Sequence, residues 1–139
     1  MKYPAKFTFN KKSNWLSITF RDLPEAIAQG ENEDDALSMA QDALITVLEY
    51  YFEKGSRVPV PSPPKHGERL VSVPASVSAK VLLLNEMLNQ KIKRVELASK
   101  LGVTPPEVTR LTNLRYGTKI DRIEAALNAL GKSLELSIT

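Results

Sequence analysis

The sequence predicts an α+β protein in two parts. A small antiparallel sheet carries one long helix, and an all-α domain of short helices follows and closes on a short strand. Three observations predict this. Side-chain character alternates with period two through the first twenty residues, a single apolar stripe of period 3.6 follows, and from Ser76 the periodicity is helical almost to the end.

Tyr3, Ala5, Phe7 and Phe9 alternate with Lys6 and Thr8, the pattern of a half-buried strand. The polar stretch NKKSN makes a turn, and Leu16, Ile18 and Phe20 resume the alternation as the second arm of a hairpin. A third short strand is expected through EAIAQ. Asn32 is placed to cap a helix whose first turn holds Asp34 and Asp35 near the positive end of its dipole. Ala36, Leu37, Ala40, Ala43, Leu44, Val47, Leu48 and Tyr51 form that helix's apolar stripe, which should cover one face of the sheet, and Gly55 ends it. Residues 57–67 form a proline-rich loop, with four prolines among the six positions 59–64, stiff and extended rather than helical. RLVSV supplies a last strand, and Pro74 marks a boundary between domains 1–75 and 76–139.

In the second part Val77, Val81, Leu84 and Leu88 share a helical face. Further helices are expected over about 94–101, 105–113 and 119–130, the last with Ile120, Ile123, Leu127 and Leu130 inward, Thr118 as its cap and Gly131 as its stop. LELSI alternates like a strand and is expected to pair with its counterpart in a second copy.

Composition excludes several classes. The chain has 139 residues and no cysteine, hence no disulfide framework and no thiolate metal site. One histidine, His66, argues against a His-based triad and excludes a multi-His metal site. No run of about 18 apolar residues is present, so no membrane span is expected, and MKYPAKFTF lacks the apolar core of a secretion signal. A cytoplasmic protein is the simplest expectation. The net charge of +3 divides unevenly: residues 1–75 sum to −1 and residues 76–139 to +4, while the segment from Arg21 to Glu53 alone holds nine acids against one base. An acidic half and a basic half suggest two different partners.

The stretch LASKLGVTPPEVTRLTN carries the most specific pattern. In a helix-turn-helix the first helix turns large residues inward and puts a small one where the second helix crosses. The turn needs a residue that tolerates φ > 0, and the second helix needs two inward residues about three apart. Leu97 and Leu101, Ala98, Gly102, Val103, and Val108 with Leu111 meet all seven requirements. A structural helical hairpin would match some of these positions but rarely all. The paired prolines suit the first turn of the second helix, where their missing N–H groups would lack partners anyway, with Pro105 or Pro106 as its first residue. Thr104 is expected to cap it and Glu107 to complete a capping box. The outward face offers Pro106, Thr109, Arg110 and Asn113. Arginine pairs bidentately with guanine and asparagine with adenine, whereas Lys100, Thr104, Arg115, Tyr116 and Lys119 are placed for phosphates and the helix entrance. The acidic run GENEDDA reads as a solvated helix start rather than a metal site. No phosphate loop, nucleophile motif, catalytic set or cofactor is indicated.

With these segments in place the chain resembles HicB-type antitoxins of HicA–HicB toxin–antitoxin systems. The resemblance rests on YPAKFTF, LPEAIAQGENEDDALSMAQDAL, VPVPSP and VSVPASVSAKVLLLN, in that order, followed by the helix-turn-helix. It covers nearly the whole chain and implies a partial RNase H-like N-terminal fold without nuclease activity. That fold would bind a small basic HicA-like toxin that cleaves mRNA, and the helix-turn-helix domain would repress the operon at a palindromic operator as a homodimer or larger assembly. The chain departs from many DNA-binding relatives at Leu114, where glycine often follows the asparagine. Asp22, Glu25, Glu31, Glu33 and Asp34 are the acids expected to meet the toxin. Two rivals remain at this level: a free-standing regulator whose N-terminal domain senses a ligand, and an RNase H-like nuclease, which would need three or four carboxylates converging on a metal ion.

Overall fold

A computed structural model describes residues 1–139, which form two compact units: 1–54 with 58–74, and 55–57 with 75–139. The first unit contains strands β1 (Lys2–Asn10), β2 (Trp15–Phe20), β3 (Ile27–Gly30) and β4 (Arg69–Ser72), with helix α1 (Glu33–Glu53). The sheet is antiparallel throughout, in the order β3-β2-β1-β4.

The register explains why a proline is tolerated in an interior strand. β1 pairs with β4 over Lys2–Ala5 and with β2 over Ala5–Asn10, so Pro4 lies where β1 has a neighbour on one side only. Its missing N–H therefore removes no ladder bond on the β2 side. The hairpin turn is closed by Asn10, whose Oδ1 accepts the Lys12 and Ser13 N–H groups at 2.9 and 3.2 Å, while Asn14 takes the left-handed conformation at φ 61°.

Directly opposed residues point to one face of the sheet. Tyr3 with Val71, Ala5 with Phe20, Phe7 with Ile18 and Ile18 with Ala28 form that face. α1 covers it with Ala36, Ala40, Leu44, Val47 and Leu48, as the apolar stripe anticipates. Asn32 caps the helix by accepting the Asp35 N–H at 2.8 Å, and Asp35 in turn accepts the Glu31 N–H at 3.0 Å. Two orphan donors are thus satisfied reciprocally. Gly30 is required by packing rather than by φ, because a Cβ there would stand 2.3 Å from the backbone nitrogen of Ala36.

The proline-rich loop is fastened to this unit. Tyr3 donates from its hydroxyl to Pro59 O at 2.9 Å, and burial, with Asp22 and Tyr51 nearby, pushes that hydroxyl's pKa up to about 12. Asp22 accepts the Ser62 N–H at 2.8 Å and the Ser62 hydroxyl at 2.7 Å. Arg21 reaches Ser62 Oγ, Pro63 O and both carboxylate oxygens of Glu68. The Arg21 guanidinium, with the Lys65 N–H, lowers the Glu68 pKa to about 2. A carboxylate whose folded pKa is depressed stabilises the fold fully above its unfolded pKa, and loses that effect as pH falls through the folded value. The stabilisation from Glu68 should therefore be present at pH 7 and fade between about pH 4.5 and about pH 2. Urea midpoints of the wild type and Glu68→Gln should differ at pH 7 and converge near pH 2; a gap that persists unchanged at pH 2 would contradict the assignment.

The second unit contains α2 (Ala75–Gln90), α3 (Arg94–Leu101), α4 (Pro105–Leu111) and α5 (Ile120–Ala129). Its core is built from Val77, Val81, Leu84, Leu97, Ala98, Val108, Leu111, Leu114, Ile123, Ala126, Leu127 and Leu130. Three expectations fail here. The terminal strand is absent: residues 132–139 are irregular, with Leu136 77% and Ile138 101% exposed. This unit is all-helical and offers no strand to pair with, and a lone strand leaves its backbone groups unsatisfied. Thr118 does not cap α5; Lys119 occupies that place, and Thr118 Oγ1 is buried without a protein partner. Thr104 makes no side-chain cap bond to α4, and no capping box forms. Pro105 and Pro106 remove the first two donors of that helix, and the next two, from Glu107 and Val108, go to the Thr104 main-chain oxygen at 3.1 and 3.4 Å. The Glu107 carboxylate instead lies 3.8 Å from Arg122.

Candidate nucleic-acid interface

The α3–turn–α4 unit is assembled from the seven positions read in the sequence. Leu97 and Val108 are completely buried, Ala98 and Leu111 nearly so, and Leu101 and Val103 are half-buried at the margin. Gly102 ends α3 at φ 67°, and the Val103 N–H reaches back to Ala98 O at 3.1 Å, the backward bond of a left-handed helix stop. A side chain at that φ would be strained, so Gly102 sets the angle at which α4 leaves the turn. Glu96 fixes the entrance of α3 by accepting the Lys93 N–H at 3.3 Å. Arg94 ties the two helices together through Thr112, whose hydroxyl accepts its Nε–H at 3.0 Å and itself donates to Val108 O at 2.8 Å.

All nine residues assigned to DNA are exposed: Lys100, Thr104, Pro106, Thr109, Arg110, Asn113, Arg115, Tyr116 and Lys119. Arg110, Tyr116 and Lys119 share the wall of one groove of about 500 Å³, with Leu101, Val103 and Arg122. Thr109 and Asn113 are partly committed. Thr109 donates its hydroxyl back to Pro105 O at 3.2 Å, and Asn113 Oδ1 accepts the Arg115 N–H at 3.0 Å. Asn113 therefore presents its amide NH₂ more freely than its oxygen, which weakens a bidentate grip on adenine.

The acids expected to meet a partner do not form one patch. Asp22 is turned inward to Ser62. Glu25 accepts the Tyr51 hydroxyl at 2.9 Å near the C-terminal end of α1, and burial followed by this bond raises the tyrosine's pKa. Glu31, Glu33 and Asp34 lie at the other end of the helix, with Glu33 bound to Arg69. Eighteen residues separate Glu33 from Tyr51, roughly 27 Å along a helix. The sequence reading missed the link between them. Asp34, Asp42, Glu49 and Glu53 fall within an arc of about 100° on α1, at 100° per residue, and the helix contains no Lys or Arg. No three His, Asp or Glu side chains gather as a metal-binding group.

Residues 2–82 match the family described as the HicB-like antitoxin of bacterial toxin–antitoxin systems. The chain belongs to the HicB-like antitoxin family. Among relatives of this family, it is 49% identical over 136 residues to Antitoxin HicB 2 of Photorhabdus laumondii, covering 98% of this chain and 95% of the relative. It is 43% identical over 136 residues to Antitoxin HicB of Escherichia coli K12, covering 98% of each. Among solved structures, the N-terminal domain of Burkholderia pseudomallei antitoxin HicB aligns with 53% of this chain and 99% of its own, at 23% identity and a TM-score of 0.43. No helix of this HicB-like chain is long and apolar enough to cross a membrane.

Proposed function

We propose that this antitoxin silences a small basic mRNA-cleaving toxin through residues 1–75, a partial RNase H-like domain, and represses its own operon through residues 76–139. In the second domain α3 and α4 act as a helix-turn-helix, α4 being the recognition helix. The observation that carries the DNA half is the exposed row Thr109, Arg110 and Asn113 on a helix whose opposite side, Val108 and Leu111, is sealed in the core. Arg110 reads a base edge, while Lys100, Arg115 and Lys119 hold phosphates. Two copies bind a palindromic operator, one to each half-site. The toxin half is supported by family membership and by the acidic arc of α1, a helix without Lys or Arg in its sequence, which would steer a basic partner. Neutralisation is steric: the covered toxin surface no longer admits RNA.

The test is a purified toxin–antitoxin pair. RNA cleavage should fall to background once the antitoxin is in molar excess, and the antitoxin should retard a DNA fragment from upstream of its own gene in preference to random DNA. Undiminished cleavage at saturating antitoxin would reject the first half, and equal affinity for both DNAs the second.

A further inference from the structure

Lys80 is completely buried on α2. Its ammonium meets no carboxylate among its hydrogen bonds. It donates instead to three main-chain carbonyls, those of Arg110 at 3.2 Å, Asn113 at 2.8 Å and Tyr116 at 2.5 Å, and lies 5.8 Å from the centre of the Tyr116 ring. An ammonium has three N–H donors and no acceptor, so the three carbonyls satisfy it completely. This is what allows a charge to remain inside, where burial lowers its pKa.

The three acceptors are not scattered. They are the last turn of α4 and the turn that leaves it. A helix ends with carbonyls that lack intrahelical donors, and a left-handed glycine commonly folds the chain back to satisfy them. Here the corresponding stretch has no glycine before Gly117 and no residue at positive φ. Leu114 is instead buried in the core, and the exit turn is closed by the Tyr116 N–H on Asn113 O at 3.1 Å. The ammonium of Lys80 supplies the donors that a glycine stop would have arranged. Two of the carbonyls it grips belong to Arg110 and Asn113.

The geometry points to Lys80 as a positioning residue for operator recognition: an internal cation that clamps the exit of α4 and so sets the direction of Arg110, Asn113 and Tyr116, without itself touching DNA. This rests on reading α3–α4 as the DNA-binding unit. It also separates Lys80 from Lys100, Arg115 and Lys119, which hold phosphates in that reading while Lys80 does not.

The full-length Lys80→Met variant, which keeps the stem and loses the charge, tests this. Operator affinity should fall at least tenfold, with a smaller loss on random DNA. The slope of log affinity against log salt should stay at the wild-type value, because no phosphate contact is removed. A slope reduced by about one would mark Lys80 as a phosphate ligand and overturn the proposal, as would operator affinity within twofold of wild type. Should the methionine variant not fold, the cysteine-free chain permits a second route. Lys80→Cys is alkylated in denaturant, either with bromoethylamine to rebuild an ammonium or with iodoacetamide to leave a neutral amide, and refolded beside wild type treated in the same way. Operator binding restored only by the ammonium supports the clamp; equal behaviour of the two adducts, folded or not, refutes it. If wild type itself fails to prefer operator DNA, the DNA-binding reading fails and the clamp is judged by amide exchange. Loss of the ammonium should speed exchange at Tyr116 at least tenfold, and unchanged protection there would overturn it.

Discussion

Gly30→Ala is expected to destabilise the first unit by about 3 kcal/mol, the upper range for forcing atoms into packed structure. The reason is geometric. The added methyl would stand 2.3 Å from the nitrogen and 2.6 Å from the Cα of Ala36, and 2.8 Å from the carbonyl carbon of Asp35. These are backbone atoms of the first turn of α1, held by the Asn32 cap and by the Glu31–Asp35 bond, so no side chain can swing aside. Either α1 lifts from β3 and opens the apolar contact made by Ala36 and Ala40, or β3 leaves β2. Gly55→Ala provides the contrast. Nothing lies within 4 Å of its added Cβ, and the cost there is only that of φ 72°, about 1 kcal/mol. Urea midpoints at constant m-value should rank wild type, Gly55→Ala, then Gly30→Ala. A Gly30→Ala midpoint equal to that of wild type would mean that α1 does not approach β3 this closely.

Arg110→Ala is expected to cost roughly 1–3 kcal/mol in operator binding, about five- to 150-fold, and to relax base preference at one position of each half-site. Arg110 is exposed on α4, while its carbonyl is held from below by Lys80, so the side chain is free to act and the main chain is not. Lys119→Ala, at the start of α5 on the same groove, should weaken operator and random DNA alike and lower the salt slope by about one. Titrations of both variants on both DNAs, at several salt concentrations, separate the roles. Equal loss on operator and random DNA for Arg110→Ala would show that it holds phosphate rather than reading bases.

Most elements were legible because their causes are local. The alternation from Tyr3 to Phe7, the stripe on α1, the Asn32 cap and the left-handed Gly102 each depend on residues within a turn or two, and each appears in the structure, whereas Phe9, expected on the buried face, is 55% exposed. Thr104 fails to cap α4 for a reason that is also local. With two prolines opening α4, the two donors that follow both use the Thr104 main-chain oxygen, and the threonine side chain has no partner left to win. The terminal strand failed because alternation states which face a strand would bury, not whether a neighbour exists to pair with it.

By itself, then, the sequence determined where the chain turns helical or extended, which faces are apolar and where α4 must begin, since periodicity, glycine and proline act through the nearest few bonds. Only the tertiary structure decided what the charged groups do. Asp22, expected from the sequence to meet the toxin, accepts from Ser62, 40 residues away; Lys80, which no local pattern singles out, donates to carbonyls 30 to 36 residues away. A charge is a surface group or an internal one according to whether acceptors or donors converge on it, and that convergence is made by distant segments meeting, which no local pattern records.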